Sequence, residues 1–285
     1  MKSWNLIIDQ TPHKGAWNMA ADEFLFRTLD EAPQTFVRFY CWERPTVSLG
    51  YSQSADKALD LDYCRHHGID VVRRITGGKL VLHWRELTYS VCSSDTQAFS
   101  DRLAKSYRLI SESLIRGLEK MSVQARLAGP PPGSYRKGNV ICFSHPARDE
   151  IEAGGWKLVG SAQKRVGARF LQHGSIPLQA GKEILRRVSL CENELTRTRL
   201  TSLSEVLGRD VGFAEAASRL VEGMAEYFRV KFRPLRWTAA DLESICRIQK
   251  NRYEDARWTA GQEGTAGLDF FPSRWYDFSS EEVER

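Results

Sequence analysis

Apolar residues recur along this chain with two periods, and the switches between them mark its elements. Alternating or β-branched runs predict strands over 4–9, 36–40 and 46–49, the last two separated by Glu43-Arg44-Pro45. Three further runs read as a tight β meander: Val71-Val72, a run ending at His83, and Leu87 to Cys92. Spacing of three and four predicts a helix over 18–29, with Ala20, Phe24, Leu25 and Leu29 on one stripe. The same spacing predicts a longer helix over 101–121, where Leu103, Tyr107, Ile110, Leu114, Leu118 and Met121 form the expected core stripe. A short helix over 60–67 ends at Gly68.

Beyond a strand over 122–127, Gly129-Pro130-Pro131-Pro132-Gly133 breaks the pattern. Gly154-Gly155 is expected to turn a hairpin with arms over 149–153 and 156–163, and Gly167 to lead into a strand over 168–178. Helices follow over 183–188, 202–207 and 213–228, then a strand over 230–235 and a last helix over 239–253. From Ala260 the chain turns to Gly, Ser, Glu and Asp, which predicts a flexible tail; its Phe270-Phe271 and Trp275-Tyr276 are candidates to dock elsewhere. Strands and helices do not alternate regularly, so the expected fold class is α+β: one domain of mixed β-sheets flanked by helices over 1–258, and a tail over 259–285.

Composition narrows this picture only slightly. The chain has 285 residues, 42% apolar and 27% charged, ordinary values for a globular protein. It has no apolar run of membrane-spanning length, and Asp9 arrives too early for a signal-peptide core, so a cytoplasmic location is expected. The net charge of +5 is dispersed, which disfavours nucleic acid and suits an acidic protein partner. The six cysteines, Cys41, Cys64, Cys92, Cys142, Cys191 and Cys246, form no Cys-x-x-Cys pair, so reduced thiols and no metal site are expected. Most should be core residues.

Cys142 stands apart, following the Pro/Gly break and preceding Phe143-Ser144-His145-Pro146. Loops of this kind carry chemistry more often than cores do. Lys157 follows the Gly-Gly hairpin on an apolar strand, where an ammonium is costly unless it has a partner or a task. A free thiol has a pKa of about 8.5, and an ammonium within about 4–6 Å favours its anion. Cys142 and Lys157 are therefore a candidate activated nucleophile. A buried structural cysteine with a solvated lysine is the plain alternative, and a Cys142/His145 pair a further one. In the central stretch, Gly77-Gly78 lets backbone approach a ligand closely, and Arg73 and Arg74 alternate so that at most one faces it. A hairpin with surface arginines is the competing reading there, and hydrogen-bonded core imidazoles the competing reading of His83 and His173.

A set of ordered motifs resembles the biotin/lipoate protein ligase superfamily, and within it the cysteine-dependent octanoyltransferases that begin protein lipoylation. They are Asn18-Met19-Ala20 with Asp22-Glu23, Arg38-Phe39-Tyr40 with Trp42, Arg73-Arg74 with Thr76-Gly77-Gly78 and Val81-Leu82-His83, and Glu86-Leu87-Thr88-Tyr89-Ser90. Cys142-Phe143, the run Lys157 to Arg165, the run Leu171 to Ile176, and Lys250, Tyr253 and Trp258 complete the set. The resemblance implies that Cys142 takes the acyl group as a thioester and that Lys157 lowers its pKa. It implies that Arg74, Thr76, Gly77, Gly78 and His83 line one side of the acyl site, and Gly160, Ser161, Gln163, His173, Gly174 and Ser175 the other. The implied donor is acyl carrier protein and the acceptor a lipoyl-accepting protein such as glycine cleavage H protein, with no cofactor. An ATP-dependent lipoate–protein ligase and an amidotransferase between lipoyl domains share much of the pattern. A non-catalytic acyl- or carrier-binding module is the reading from another class. The sequence departs from the family at Lys79-Leu80 and Trp84, and the larger Leu80 is placed to narrow the acyl slot.

Overall fold

The computed structural model describes residues 1–29, 33–129, 150–190 and 199–261. Eleven strands among these residues form two sheets. In chain order they are β1 (Lys2–His13), β2 (Thr35–Trp42), β3 (Thr46–Leu49), β4 (Asp70–Arg73), β5 (Val81–His83) and β6 (Glu86–Ser93), then β7 (Ala125–Leu127), β8 (Ile151–Ala153), β9 (Trp156–Val166), β10 (Arg169–Pro177) and β11 (Val230–Pro234). The large sheet runs β11-β1-β2-β6-β10-β9-β8-β7, and the small one β4-β3-β5. β1 is parallel to both neighbours and the rest of the large sheet is antiparallel. Mixed sheets with helices on both faces fit the expected α+β class.

The two faces of the large sheet differ in chemistry because alternate residues point opposite ways. On one face Val37 and Phe39 of β2, Leu87, Tyr89 and Val91 of β6, and Phe170 and Ile176 of β10 join a single apolar cluster. The helices α4 (Leu103–Glu119) and α7 (Phe213–Phe228) cover that face, supplying Ile110, Leu114, Leu118, Leu220 and Met224. Leu103, expected on the core stripe, is 49% exposed because it opens the first turn. The other face carries Arg38, Tyr40, Thr88, Ser90, His173 and Ser175, all buried. Register aligns them in two rows, Arg38–Ser90–His173 and Tyr40–Thr88–Ser175. The helix α1 (Gly15–Arg27) covers this polar face and meets it with Asn18 and Asp22, one turn apart.

The meander expected over Val71 to Cys92 does not form. β4 and β5 flank β3 in the small sheet and do not pair with each other, while β6 belongs to the large sheet. The apolar runs were sound strand signals, but β4 and β5 both pair with β3, a strand more than twenty residues before β4, and β6 pairs with β2 and β10. Leu80, expected to narrow the acyl slot, is fully buried with Val47, Leu49 and Ala58 beneath the small sheet and is not among the residues that line the cleft described below.

Gly154 and Gly155 both have positive φ, at 60° and 80°, and turn the β8–β9 hairpin as expected. The last predicted helix becomes α8 (Ala239–Ile248) followed by a π-turn over Gln249–Tyr253, and a short α9 (Ala256–Ala260) comes after it. The Pro/Gly segment with Cys142, Ser144 and His145, and the aromatic pairs after 262, lie outside the described residues. No helix among the described residues is long and apolar enough to cross a membrane.

Candidate functional site

A cleft of about 350 Å³ opens where the small sheet meets the polar face of the large one. Its lining comes from Ser48, Val81 and His83 of the small sheet with the adjoining Arg74, from Tyr40, Thr88, Gly160–Ala162 and His173–Ser175 of the large sheet, and from Met19 of α1. Of the residues implied by the resemblance, Arg74, His83, Gly160, Ser161, His173, Gly174 and Ser175 therefore stand together. Thr76 sits behind the wall, fully buried, with its hydroxyl 2.7 Å from His173 Nε2. Gln163 is turned away and bonds Gln172 and Ser106. Gly77 and Gly78 are exposed, at the rim.

Neither arginine of the Arg73-Arg74 pair is a surface residue. Arg74 donates to the carbonyls of Ser48, Gly77 and Lys79 and to Ser48 Oγ, at 2.7 to 3.0 Å, and so ties the glycine loop to β3. Gly78 has φ of 88°, and a Cβ there would stand 3.0 Å from the Arg74 guanidinium, so a side chain would strain both the turn and this clamp. Arg73 points the other way. Its guanidinium donates to the carbonyls of Gly50, Tyr51, Trp258 and Thr259, and the Trp258 indole returns a bond to the Arg73 carbonyl. The helix over Ala256–Ala260 is thus locked to β4, whose last residue, Arg73, precedes Arg74. Replacing Arg73 with alanine strands four carbonyls and is expected to lower stability by about 3 kcal/mol. A urea midpoint unchanged within error would refute this clamp.

Two carboxylates organise the polar face, and the sequence reading assigned neither a role. Asp22 accepts from Arg38 and Ser90 through Oδ1 and from Tyr40 and His173 through Oδ2, at 2.8 to 3.0 Å. Burial pushes the Asp22 carboxyl up, but the His173 hydrogen bond and the Arg38 charge outweigh it and hold the group below the usual carboxylate range. Burial lowers the His173 imidazole despite Asp22, so His173 is neutral at neutral pH. Arg38 also pairs with Asp9 at 2.7 Å, which leaves its buried charge balanced. Glu86 accepts from His83 Nδ1 at 2.7 Å and from the hydroxyls of Thr88 and Ser175. His83 Nε2 lies 2.7 Å from Ser48 Oγ, and Trp42 stacks on the ring at 3.9 Å. The signal available for these residues was a charge inside an apolar run: Asp22 among Met19, Ala20, Ala21 and Phe24, and Arg38 between Val37 and Phe39.

Gly174 lets the two inner strands close. A Cβ there would fall 2.5 Å from Ser161 Oγ and 2.6 Å from Tyr89 Cε1. Those atoms belong to a fixed group, in which Tyr89 OH bonds Ser161 Oγ at 2.7 Å and Gln172 at 2.9 Å, and burial raises the Tyr89 phenol to about 12. Gly174→Ala is expected to cost about 1–3 kcal/mol and to disturb the Tyr89–Ser161 hydrogen bond. A variant of wild-type thermal stability would show that the wall gives way freely.

Lys157 is fully buried and forms an ion pair with Glu150 at 2.7 Å. The solvated-lysine alternative is therefore excluded. A bulge in the β8–β9 pairing and bridging bonds to 199–201 enclose its backbone, so side chains on both faces of β9 are buried here. Lys157 does not line the cleft; it lies three residues before Gly160 on β9, about 10 Å along the strand. Its proposed partner Cys142 lies outside the described residues. Among the other thiols, Cys64 and Cys92 are buried, Cys41 is half-buried and Cys246 is exposed, so the expectation of core cysteines holds for two of these four.

Comparison with known proteins gives this geometry a lineage. Residues 14–225 match the lipoyl protein ligase A/B catalytic domain. The chain is 36% identical to octanoyltransferase LipM of Kyrpidia tusciae over 263 residues, covering 86% of this chain and 94% of that protein. It is 34% identical to octanoyltransferase LipM of Geobacillus kaustophilus over 259 residues, covering 85% and 93%. Among solved structures, lipoate-protein ligase A bound with ATP superposes with a TM-score of 0.78 at 24% identity, covering 92% of this chain and all of that one. A bi-partite lipoate protein ligase from Thermoplasma acidophilum superposes with a TM-score of 0.77 at 22% identity, covering 94% of this chain and all of that one. The two superpositions show a shared fold. With its family profile spanning most of the sequence and relatives above 30% identity along almost their whole length, this chain belongs to the lipoyl protein ligase A/B catalytic domain family.

Proposed function

We propose that this chain is an octanoyltransferase of lipoate biosynthesis, working in the cytoplasm without ATP or a cofactor. Its catalytic domain spans 1–258 and is followed by a tail, 259–285. The observation that carries the reading is the run of relatives named octanoyltransferase, alignable with 85% or more of this chain. The buried Lys157 ammonium supports it, because an enclosed charge beside a carboxylate is the kind of group that holds and passes a proton.

The Cys142 thiolate attacks the octanoyl thioester of acyl carrier protein. A new C–S bond forms, the old one breaks, and the departing carrier thiolate takes a proton from the Lys157 ammonium. The ε-amine of a lysine on a lipoyl-accepting protein, such as glycine cleavage H protein, then attacks the acyl-enzyme. The neutral Lys157 amine collects the proton that this amine loses, and the Cys142 thiolate leaves. The incoming thioester is already activated, so the chemistry needs no adenylate. Val81, Met19 and the faces of Gly160 and Gly174 offer apolar lining, and each buried methylene of an octanoyl chain is worth about 0.8 kcal/mol.

The test is intact mass of the protein after mixing with octanoyl-carrier protein, with and without ATP. The expected result is a single octanoyl adduct that forms without ATP and disappears when an acceptor domain is added. No adduct, together with ATP-dependent incorporation of free octanoate or lipoate, would overturn the reading in favour of a ligase.

A further inference from the structure

The polar face behind the cleft contains two chains of the same build. Each runs from a buried carboxylate through an imidazole to a hydroxyl: Asp22–His173–Thr76, and Glu86–His83–Ser48. Such a chain has a direction. A carboxylate can only accept, so the imidazole nitrogen facing it must carry the hydrogen. In a neutral ring the other nitrogen then has no hydrogen and must accept in turn. The hydroxyl at the end is obliged to donate.

In the first chain the end of the line is Thr76, the residue before Gly77-Gly78, and its hydroxyl is buried with no exposure to solvent. Its backbone carbonyl accepts from the amide of Tyr51, so Thr76 is held by both side chain and main chain. The loop that rims the cleft is therefore held at Thr76 by His173 as well as by the Arg74 bonds to Gly77 and Lys79, and His173 is oriented by Asp22. We propose that Asp22 is a positioning residue of the cleft: it keeps the His173 proton on Nδ1, which makes Thr76 donate to Nε2 and fixes the Gly77–Gly78 loop against the cleft wall. Asp22 does not itself line the cleft; it acts on the loop through the ring, and it also accepts from the cleft-lining Tyr40.

The charge balance around Asp22 supports this role. Four donors converge on its two oxygens, more than a purely structural contact to α1 requires, and two of them, Arg38 and Tyr40, also hold the strand that flanks the cleft. Asparagine at this position is nearly isosteric but can turn an N–H toward Nδ1. The ring would then carry its hydrogen on Nε2, Thr76 would become the acceptor, and its own hydrogen would point into a buried space without a partner.

The inference rests on the octanoyl-transfer reading only for its kinetic arm, so two independent measurements test it. In the first, the full-length chain is labelled with ¹⁵N-histidine, and long-range ¹H–¹⁵N correlation at neutral pH reports which ring nitrogen of His173 carries the proton. The signal is identified by its loss in His173→Gln. The expected form in the unsubstituted protein is Nδ1–H; an Nε2–H ring overturns the proposal. In the second, a double-mutant cycle compares Asp22→Asn, Thr76→Val and the pair, two residues that do not touch. Each single change is expected to raise the KM for octanoyl-carrier protein about tenfold, with a smaller change in kcat, and the pair no further than the larger single change. Effects that multiply to about a hundredfold would mean that Asp22 does not act through this chain. A protein that transfers no octanoyl at all would defeat the functional reading, and the ring measurement would still decide the role of Asp22.

Discussion

Lys157→Met is expected to reduce octanoyl transfer by about a hundredfold to ten-thousandfold, the range that a positioned proton donor or acceptor contributes. The same change should also weaken the fold, and the two effects must be separated. Lys157 has no exposed surface, and its Nζ stands 2.7 Å from a Glu150 carboxylate that is itself buried. Removing the ammonium takes away the ion-pair partner of that carboxylate, which costs about 3–5 kcal/mol in comparable buried pairs. Methionine fills most of the volume, so packing loss is minor. The second variant is Lys157→Met with Glu150→Gln, which removes both charges. It should recover most of the lost stability, read as the urea midpoint, because both members of the ion pair are then neutral. It should recover none of the transfer rate, because no proton carrier remains. A double variant that folds normally and transfers octanoyl at the unsubstituted rate would eliminate Lys157 from the chemistry.

How far the sequence foretold this arrangement depends on the range of the signal. Local signals were read correctly. The Gly154-Gly155 turn, the helix over Phe213–Phe228 and the long strands β9 and β10 follow from turn chemistry and periodicity within about ten residues. Pairings across the chain were not legible. β4 and β5 are close in sequence, yet each hydrogen-bonds to β3, and only the small sheet's shared core of Val47, Leu49 and Leu80 decides that. Leu80 shows the same limit from the side of function: its bulk suggested a narrowed slot, while the turn at Gly78 points it into the core beneath.

The site divides along the same line. Residues to which the family resemblance gave a site role, such as Arg74, His83 and the run Gly160 to Ser161, line the cleft. Asp22, Arg38 and Glu86 do not touch a ligand site by local pattern; they matter because three separate elements bring Asp22 to His173 and Arg38, and Glu86 to His83 and Ser175. A charge buried in an apolar stretch says that a partner exists and does not say where.

Cys142→Ser is expected to abolish acyl-adduct formation altogether. At neutral pH a serine hydroxyl supplies almost no anion, and an ammonium neighbour that stabilises a thiolate cannot bridge the gap to an alkoxide. The other thiols provide the controls that make this outcome specific. Burial raises Cys92 well above the ordinary thiol range and Cys64 to about 11, and burial with Asp9 nearby raises Cys41, so all three are predominantly protonated at neutral pH and poor nucleophiles. Cys246 is exposed on α8 and is the described thiol most open to chance acyl exchange. The decisive comparison is therefore between two single variants treated with octanoyl-carrier protein and analysed by intact mass. Cys246→Ser should gain the octanoyl mass at the unsubstituted rate, and Cys142→Ser should gain none. If the mass increment persisted in Cys142→Ser and vanished in Cys246→Ser, the adduct would be incidental surface chemistry, and the thioester step would have to be sought on a different residue.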